Sequence, residues 1–378
     1  MSMIFLKHAS RCAVLSSLLA AVAVHANPHP KQAAGKLPAK SAAKAAIRKV
    51  AAAPDDLGEF ANFTQWKEVS EFIDQMIDQH GFERAELEAI FRKARYVDTT
   101  IQLIKPAPPG RPKNWHAYRE RFVEPVRINA GVAFWNANAE ALARAEEQYG
   151  VPAEIIVGII GVETIYGRNT GNFRVLDALT TLSFDYPDTP NRVSRMKFFR
   201  GELENTLLFA RESGIDPFTL LGSYAGAIGW PQFMPGSIRK YAVDFDGDGR
   251  IDLRNSPVDA IGSVAHFLAE HGWQRGEPIV FPASVSNAES GRSWDIFIGQ
   301  GLEAKFKLDE LKASGVAPGV EPPADMQFGL VDLQNGGEPT EYWLGSANFF
   351  AITRYNRSFF YAMSVVDLGR AVRNARGS

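Results

Sequence analysis

The stretch Val151-Pro-Ala-Glu-Ile-Ile-Val-Gly-Ile-Ile-Gly-Val-Glu-Thr-Ile-Tyr-Gly-Arg168 is an apolar run that contains two glutamates. Its apolar spacing predicts a helix over 152–166. Pro152 suits the first helical position, and Glu154 suits the first turn, where a carboxylate meets unpaired backbone N–H groups and the positive end of the helix dipole. Glu154 therefore has a structural explanation.

Glu163 has no comparable explanation. It shares a helical stripe with the isoleucines of 156–160 and lies about 180° around the helix from Glu154. A carboxylate on an apolar stripe is costly unless it is paired or has a task. Desolvation would raise its pKa and keep it protonated near neutral pH, as a general acid requires. The alternative is a buried glutamate in a salt bridge with Arg168 or Arg174.

A second stretch, Gly222-Ser-Tyr-Ala-Gly-Ala-Ile-Gly-Trp-Pro-Gln-Phe-Met-Pro235, mixes glycines, aromatics and polar side chains without a regular period. Glycines let a backbone approach a ligand closely, and Tyr224, Trp230 and Phe233 offer flat faces of the kind that pack on sugar rings. Polar groups among aromatics are typical of a cleft. The alternative is a tight turn between two helices, which leaves Gln232 unexplained.

The segment Asp244-Phe-Asp-Gly-Asp-Gly-Arg-Ile-Asp252 reproduces most of an EF-hand calcium loop. Positions 1, 3, 5 and 9 of such a loop are carboxylates, which here are Asp244, Asp246, Asp248 and Asp252. Position 7 supplies a backbone carbonyl, which here is that of Arg250. Acids this close repel one another without a cation. We therefore predict a structural calcium or a similar hard ion.

Charge is distributed unevenly along the 378 residues, whose formal net charge is -2. Residues 1–53 hold Lys and Arg but no acid, so the remainder is acidic. An acidic body argues against nucleic acid as a partner, because phosphate binding takes clustered basic side chains. Residues 27–54 are rich in Ala, Lys and Pro and predict a flexible basic linker. Its charge permits loose association with a membrane face or wall polymer; the alternative is a solvated linker.

The first 26 residues are typical of a secretory signal peptide. A positive segment precedes an apolar run over 13–24 that is too short to span a bilayer, and small residues precede a cut at Asn27. Cys12, the single cysteine, lies ahead of that run, so it is not placed for lipid attachment at the cut. We expect a periplasmic protein without a lipid anchor. The alternative is a frayed helix in a cytosolic protein.

Helical spacing extends through most of the chain. It predicts helices over 64–94 with a break at Gly81, and over 130–149, 192–213, 257–271 and 359–373. Short alternating runs between about 275 and 348 predict a small β-rich insertion. The fold class is therefore mainly α (α+β).

Several motifs match one known family in order. They are Gly161-Val-Glu-Thr164 with Gly167-Arg168, the stretches 176–184, 222–235 and 258–264, and Ile352-Thr-Arg-Tyr-Asn356 with Tyr361-Ala-Met363. From about residue 57 to 370 the sequence resembles the membrane-bound lytic transglycosylase B family of peptidoglycan-cleaving enzymes. The resemblance implies an N-terminal helical domain (55–129), a lysozyme-like catalytic core (130–274) that holds the loop 244–259, a small β-rich domain (275–348) and a return to the core (349–378).

The resemblance also implies a reaction. Family members cleave the bond between N-acetylmuramic acid and N-acetylglucosamine without water and leave a 1,6-anhydro sugar end, and Glu163 matches their sole acid/base. The residues that match the glycan cleft are Ser223, Gln232, Tyr355, Asn356, Tyr361 and, more weakly, Tyr118, beside the aromatic Tyr224 and Trp230. Asp259 matches the residue that closes the cation loop, although Ser256 to Asp259 also forms a helix-capping box. We expect a monomer that acts on glycan strands without an organic cofactor.

Two other functions stay open at this point. The first is muramidase-type hydrolysis, which needs a second carboxylate and could take it from Asp177 or Asp185. The second is a non-catalytic peptidoglycan-binding module on the same fold, against which an intact Glu163 argues.

Overall fold

The computed structural model describes residue 59, residues 61–106, residue 110, and residues 112–287 and 293–377. The predicted signal peptide and linker lie outside these residues. The described helices are α1 (Lys67–His80), α2 (Arg84–Lys93), α3 (Asp98–Ile104), α4 (Trp115–Arg119), α5 (Pro125–Ala137), α6 (Ala139–Tyr149), α7 (Ala153–Thr164), α8 (Val175–Phe184), α9 (Arg192–Ser213), α10 (Pro235–Tyr241), α11 (Pro257–Glu270), α12 (Leu308–Ala313), α13 (Ala347–Tyr355) and α14 (Phe359–Gly377). The mainly α fold class is confirmed.

Helix α7 lies in the centre of the core because its side chains are apolar nearly all round. Two glycines let α14 pack closely against it. A Cβ at Gly158 would lie 2.3 Å from a backbone oxygen of α14, and one at Gly369 would lie 2.2 Å from a backbone oxygen of α7. This close approach places Tyr361 of α14 beside Glu163 of α7.

The strands form one small and one larger sheet. They are β1 (Phe173–Arg174), β2 (Leu221–Gly222), β3 (Val280–Val285), β4 (Phe306–Lys307), β5 (Val316–Pro318), β6 (Gln327–Asn335) and β7 (Glu338–Gly345). The larger sheet is antiparallel with the order β4-β6-β7-β3-β5, and Val331 pairs with Trp343 across β6 and β7. It has its own apolar cluster, which includes Leu311 and Phe328. Strands β3–β7 fall where the alternating runs predict them.

The N-terminal helices pack onto α8 and the residue that follows it. Phe72 of α1 meets Phe184 of α8 edge to face at 6.0 Å. Between α2 and α3, the Tyr96 hydroxyl donates to Asp185 at 2.9 Å and the Val97 N–H donates to Thr181 at 3.0 Å. These contacts join the first helices to the main hydrophobic core.

Helix boundaries differ from the sequence expectation in two places. The single helix predicted over 130–149 is divided between α5 and α6 at Asn138, whose ψ of 25° leaves helical geometry. Pro152 is the residue before α7 and not its first helical residue, because its ψ of 139° is extended. The predicted stops at Gly81 and Gly150 are confirmed, with left-handed φ values of 65° and 74°. Within the described residues, no helix has the length and apolar character needed to cross a bilayer.

Candidate active site

Glu163 lies in the last turn of α7 and forms part of a cleft wall. The Tyr361 hydroxyl donates a hydrogen bond of 2.6 Å to its Oε1 atom. Burial raises the pKa of Glu163 to about 7, and the Tyr361 hydrogen bond opposes that rise. The negative end of the α7 dipole also disfavours the carboxylate. Glu163 is thus poised to hold or release a proton near neutral pH.

The salt-bridge alternative for Glu163 is wrong. Arg174 pairs with Asp177, and among the described residues no ion pair involves Glu163 or Arg168. Glu154, at the other end of α7, forms an ion pair of 2.6 Å with Arg373. Glu154 therefore has a basic ion-pair partner, whereas Glu163 has none among the described residues.

A strained turn follows Glu163. Ile165, Tyr166 and Gly167 have φ values of 52°, 54° and 79°, and a β-branched residue rarely adopts such a conformation. Thr164 holds the turn on both sides, because its Oγ1 donates to the Trp230 carbonyl at 2.9 Å and accepts from the Gly167 N–H at 3.0 Å. Backbone strain of this kind persists only where the surroundings enforce it.

The glycine-rich segment forms the facing part of the cleft. Ser223 Oγ accepts from the backbone N–H groups of Ala225 and Ala227, which fixes the turn after β2. Gln232 has a left-handed φ of 51°, and its Nε2 donates to the carbonyls of Gly229 at 2.9 Å and Thr170 at 3.2 Å. Gln232 is therefore held by the backbone on two sides.

The cleft has a cavity volume of about 870 Å³ and brings together most residues predicted for the site. Of those, the residues that line it are Glu163, Ser223, Tyr224, Gln232, Asn356, Tyr361 and Tyr118. Burial raises the pKa of Tyr118 to about 12, and the charge of Glu163 adds to this. Three aromatic residues that the sequence singles out do not line the cavity, namely Tyr355, Trp230 and Phe233.

Tyr355 and Trp230 support the cleft from behind. The Tyr355 hydroxyl donates to the Pro231 carbonyl at 2.5 Å, and its ring stacks on Tyr361 with centroids 6.3 Å apart. The Trp230 indole packs against Gly167 and donates its N–H to a backbone carbonyl at 2.9 Å. The ring expected to face a sugar is thus used in packing, as is that of Phe233, which is 2% exposed.

Basic and amide side chains complete the cleft, and of these the sequence singles out only Arg168, as a possible salt-bridge partner of Glu163 and as a motif residue. They are Arg121, Arg127, Arg168, Asn169 and Asn172. Glu163 is the single carboxylate among the lining residues that the structure describes. Asp177 is buried and pairs with Arg174, whereas Asp185 is partly exposed and accepts from Tyr96, so neither lines the cleft.

The acidic loop before α11 brings three carboxylates together. One oxygen each from Asp244, Asp246 and Asp259 lies within 4.8 Å of the others. Asp259 is 1% exposed, and its oxygens accept N–H groups from the loop, while its own N–H donates to Ser256 as the capping box predicts.

Two of the predicted ligands lie outside that group. The carboxylates of Asp248 and Asp252 accept hydrogen bonds from N–H groups two or three residues further along the loop. Asp244 and Asp246 accept local hydrogen bonds of the same kind. The Arg250 carbonyl stays a prediction.

Comparisons with known proteins agree with this geometry. Residues 63–370 match the family described as Transglycosylase SLT domain. The chain is 44% identical over 327 residues to membrane-bound lytic murein transglycosylase B of Escherichia coli K12. The aligned residues cover 84% of this chain and 85% of that protein.

Two solved structures share the fold, including the lysozyme-like arrangement expected of it. The soluble lytic transglycosylase SltB1 of Pseudomonas aeruginosa is 47% identical with a TM-score of 0.74, covering 82% of this chain and all of that one. The E. coli lytic transglycosylase Slt35, solved in complex with calcium, is 42% identical with a TM-score of 0.74, covering 85% of this chain and 98% of that one. The chain belongs to the transglycosylase SLT domain family.

Proposed function

We propose that this protein is a lytic murein transglycosylase. It cleaves the glycosidic bond between N-acetylmuramic acid and N-acetylglucosamine in peptidoglycan and leaves a 1,6-anhydromuramyl end. The relatives named above are called a lytic murein transglycosylase and a soluble lytic transglycosylase, which supports the proposal. The observation that carries the proposal is that Glu163 is the single carboxylate among the described residues that line the cleft, and burial raises its pKa to about 7, which suits an acid that must later act as a base.

Glu163 performs both proton transfers in this mechanism. The protonated carboxyl donates its proton to the leaving glycosidic oxygen as the bond to the anomeric carbon breaks. The resulting carboxylate then takes the proton of the muramyl C6 hydroxyl, whose oxygen closes onto the anomeric carbon. Glu163 ends protonated, as it began, and no water is consumed. Ser223 and Asn356 are suited to orienting the substrate N-acetyl group, which assists as an internal nucleophile.

The hydrolase alternative needs a second carboxylate near the scissile bond, either as nucleophile or to activate water. Asp177 and Asp185 are the candidates from the sequence, and neither lines the cleft. A pure binding module would have no use for an unpaired carboxyl with a raised pKa in the cleft. Both observations favour the transglycosylase.

Glu163→Gln tests the proposal. The amide keeps the shape of the side chain but transfers no proton, so turnover of purified peptidoglycan should fall by at least ~10²–10⁴-fold. Asp177→Asn is the matched control, since a hydrolase that uses Asp177 would lose activity and a transglycosylase would keep it once folding is verified. A folded Glu163→Gln protein with wild-type turnover would remove Glu163 from the mechanism.

We propose a structural calcium ion in the acidic loop. Asp244, Asp246 and Asp259 offer hard oxygen donors of the kind that calcium prefers. Asp259 is buried, and no Lys or Arg pairs with it among the described residues, so a cation would offset its charge. The E. coli relative solved with calcium supports the choice of ion.

We also propose export to the periplasm with cleavage near Asn27, which N-terminal sequencing of the mature protein tests. The basic segment 27–54 would hold the protein loosely near anionic wall or membrane surfaces. We also propose that the protein is a monomer, which analytical ultracentrifugation tests. The proposed domains are helical (55–129), catalytic (130–274 with 349–378) and β-rich (275–348), and limited proteolysis tests their boundaries.

A further inference from the structure

Arg127 joins two walls of the cleft. It lies in the first turn of α5, where the Glu124 side chain caps the helix by accepting its N–H. Its guanidinium donates from Nε to the Gly161 carbonyl at 2.8 Å and from Nη1 to the Arg121 carbonyl at 2.5 Å. Gly161 precedes Glu163 by two residues, and Arg121 lines the same cleft together with its neighbours Tyr118 and Phe122.

The guanidinium donates to these two carbonyls, and its Nη1 atom also lies 3.7 Å from the carboxylate of Glu124, its ion-pair partner. Arg127 is only 9% exposed and lies over the Phe122 ring, 5.2 Å from its centroid. Burial lowers its pKa from the ordinary value, so the surroundings make the cation costly. A planar fork that donates to two backbone carbonyls is specific to arginine, because a lysine is a point donor on a flexible stem.

The Gly161 carbonyl also belongs to the strained turn. It accepts the N–H of Ile165 at 3.2 Å, the first of the left-handed residues after α7. Tyr166 packs its ring against Phe134 of α5 at 5.1 Å. Helix α5 therefore contacts the end of α7 at two points about two turns apart, through Arg127 to Gly161 and through Phe134 to Tyr166, one before and one after Glu163.

We propose that Arg127 is a positioning residue for the transglycosylase reaction. It fixes the distance between the wall that carries Glu163 and the wall that carries Tyr118 and Phe122, and it keeps the strained turn closed. This inference rests on the proposed function. It assigns Arg127 no contact with the scissile bond, so its removal acts on kcat and not on KM.

The test is Arg127→Lys, which keeps the positive charge and loses the two-carbonyl fork. Misplacement of a catalytic group by about 1 Å can cost about 10²-fold, so kcat on soluble peptidoglycan strands should fall by about tenfold to a hundredfold with KM unchanged. A raised KM with unchanged kcat would make Arg127 a substrate-binding residue instead and would overturn the proposal, as would unchanged kinetics.

Arg200→Lys is the matched control. Arg200 also lies over a phenylalanine, 5.1 Å from the Phe184 centroid, and its Nε donates to the Ser183 carbonyl at 3.1 Å, but it does not line the cleft. Its replacement should lower the thermal midpoint without changing kcat. Equal losses of kcat in both variants would indicate general destabilisation and contradict a positioning role.

Chemical rescue separates position from folding. Arg127→Ala leaves a space that free guanidinium ion can occupy, so low guanidinium should restore part of kcat while the same concentration of urea does not. Failure of rescue in a variant that circular dichroism shows to be folded would count against the proposal. Absence of anhydro product from the wild type would instead reject the proposed function.

Discussion

Replacing Tyr361 by phenylalanine removes one hydroxyl and isolates its effect on Glu163. The Tyr361 hydroxyl donates to Glu163 at 2.6 Å, and this bond lowers a pKa that burial raises to about 7. Phenylalanine keeps the ring that stacks on Tyr355. Tyr361→Phe should therefore raise the pKa of Glu163 further and leave the packing of α14 intact.

The size of the shift follows from the strength of the bond. A hydrogen bond to a charged group contributes about 1.5–3 kcal/mol. Since one pKa unit corresponds to about 1.4 kcal/mol, the pKa should rise by about one to two units. Glu163 must begin the reaction protonated, so activity is present below its pKa and is lost as the pH rises through it. The alkaline limb should move from near pH 7 upward by the same amount.

The assay is the pH dependence of kcat/KM, which reports the free enzyme. Tyr118→Phe is the control, because Tyr118 lines the same cleft but makes no hydrogen bond with Glu163 in the described structure. Its alkaline limb should stay near that of the wild type. A limb that stays in place or moves to lower pH in Tyr361→Phe would refute the assignment of the limb to Glu163.

Four further predictions concern stability. Burial raises the folded-state pKa of Glu163 from 4.5 to about 7, so the folded state keeps a proton there and the stability of the wild type falls as the pH rises through this window. Glutamine does not titrate, so Glu163→Gln removes this fall. Relative to the wild type, the variant should therefore gain about 3 kcal/mol in unfolding free energy between pH 4 and a pH well above 7. Glu202→Gln should show a similar gain, because burial also raises the pKa of Glu202 to about 7. Its pH profile of activity should stay that of the wild type, because Glu202 does not line the cleft. Equal urea midpoints for both variants and the wild type at both pH values would contradict the two predictions. Gly167→Ala should lower the unfolding free energy by about 1–3 kcal/mol, because Gly167 has a φ of 79° and the new Cβ would lie 2.5 Å from the indole ring of Trp230. Gly201→Ala is the control and should not destabilise, because Gly201 is helical and its new Cβ would have no atom within 4 Å. Calcium should raise the thermal midpoint with a Kd of about 10⁻⁴–10⁻³ M, and Asp259→Asn should abolish this response; a wild-type melting curve that is the same in chelator and calcium would contradict the site.

The sequence is most informative where a side chain conflicts with its helical stripe. Glu163 conflicts with the apolar residues around it, and the structure shows the reason, since it faces a cleft and accepts from Tyr361. Gly81 and Gly150 end their helices as expected because only glycine adopts the left-handed conformation without strain.

Other features depend on contacts between distant segments and leave no local pattern. Arg127 is 34 residues from the carbonyl that it binds, and arginine in the first turn of a helix has no special spacing. Ile165 adopts a positive φ that its own propensity opposes, so only the packing around it explains the turn. Trp230 is a residue type that packs on sugar rings, but its indole ring packs against Gly167, where any side chain would collide with it.

The fate of solvent oxygen tests the central claim most directly. Purified peptidoglycan is digested by the wild-type protein in water enriched in heavy oxygen, and the muramyl ends are examined by mass spectrometry. Closure of the C6 hydroxyl by Glu163 predicts products that are lighter by one water than reducing ends and carry no heavy oxygen. Reducing ends that carry one heavy oxygen would show attack by water, and they would contradict the mechanism with a single carboxylate.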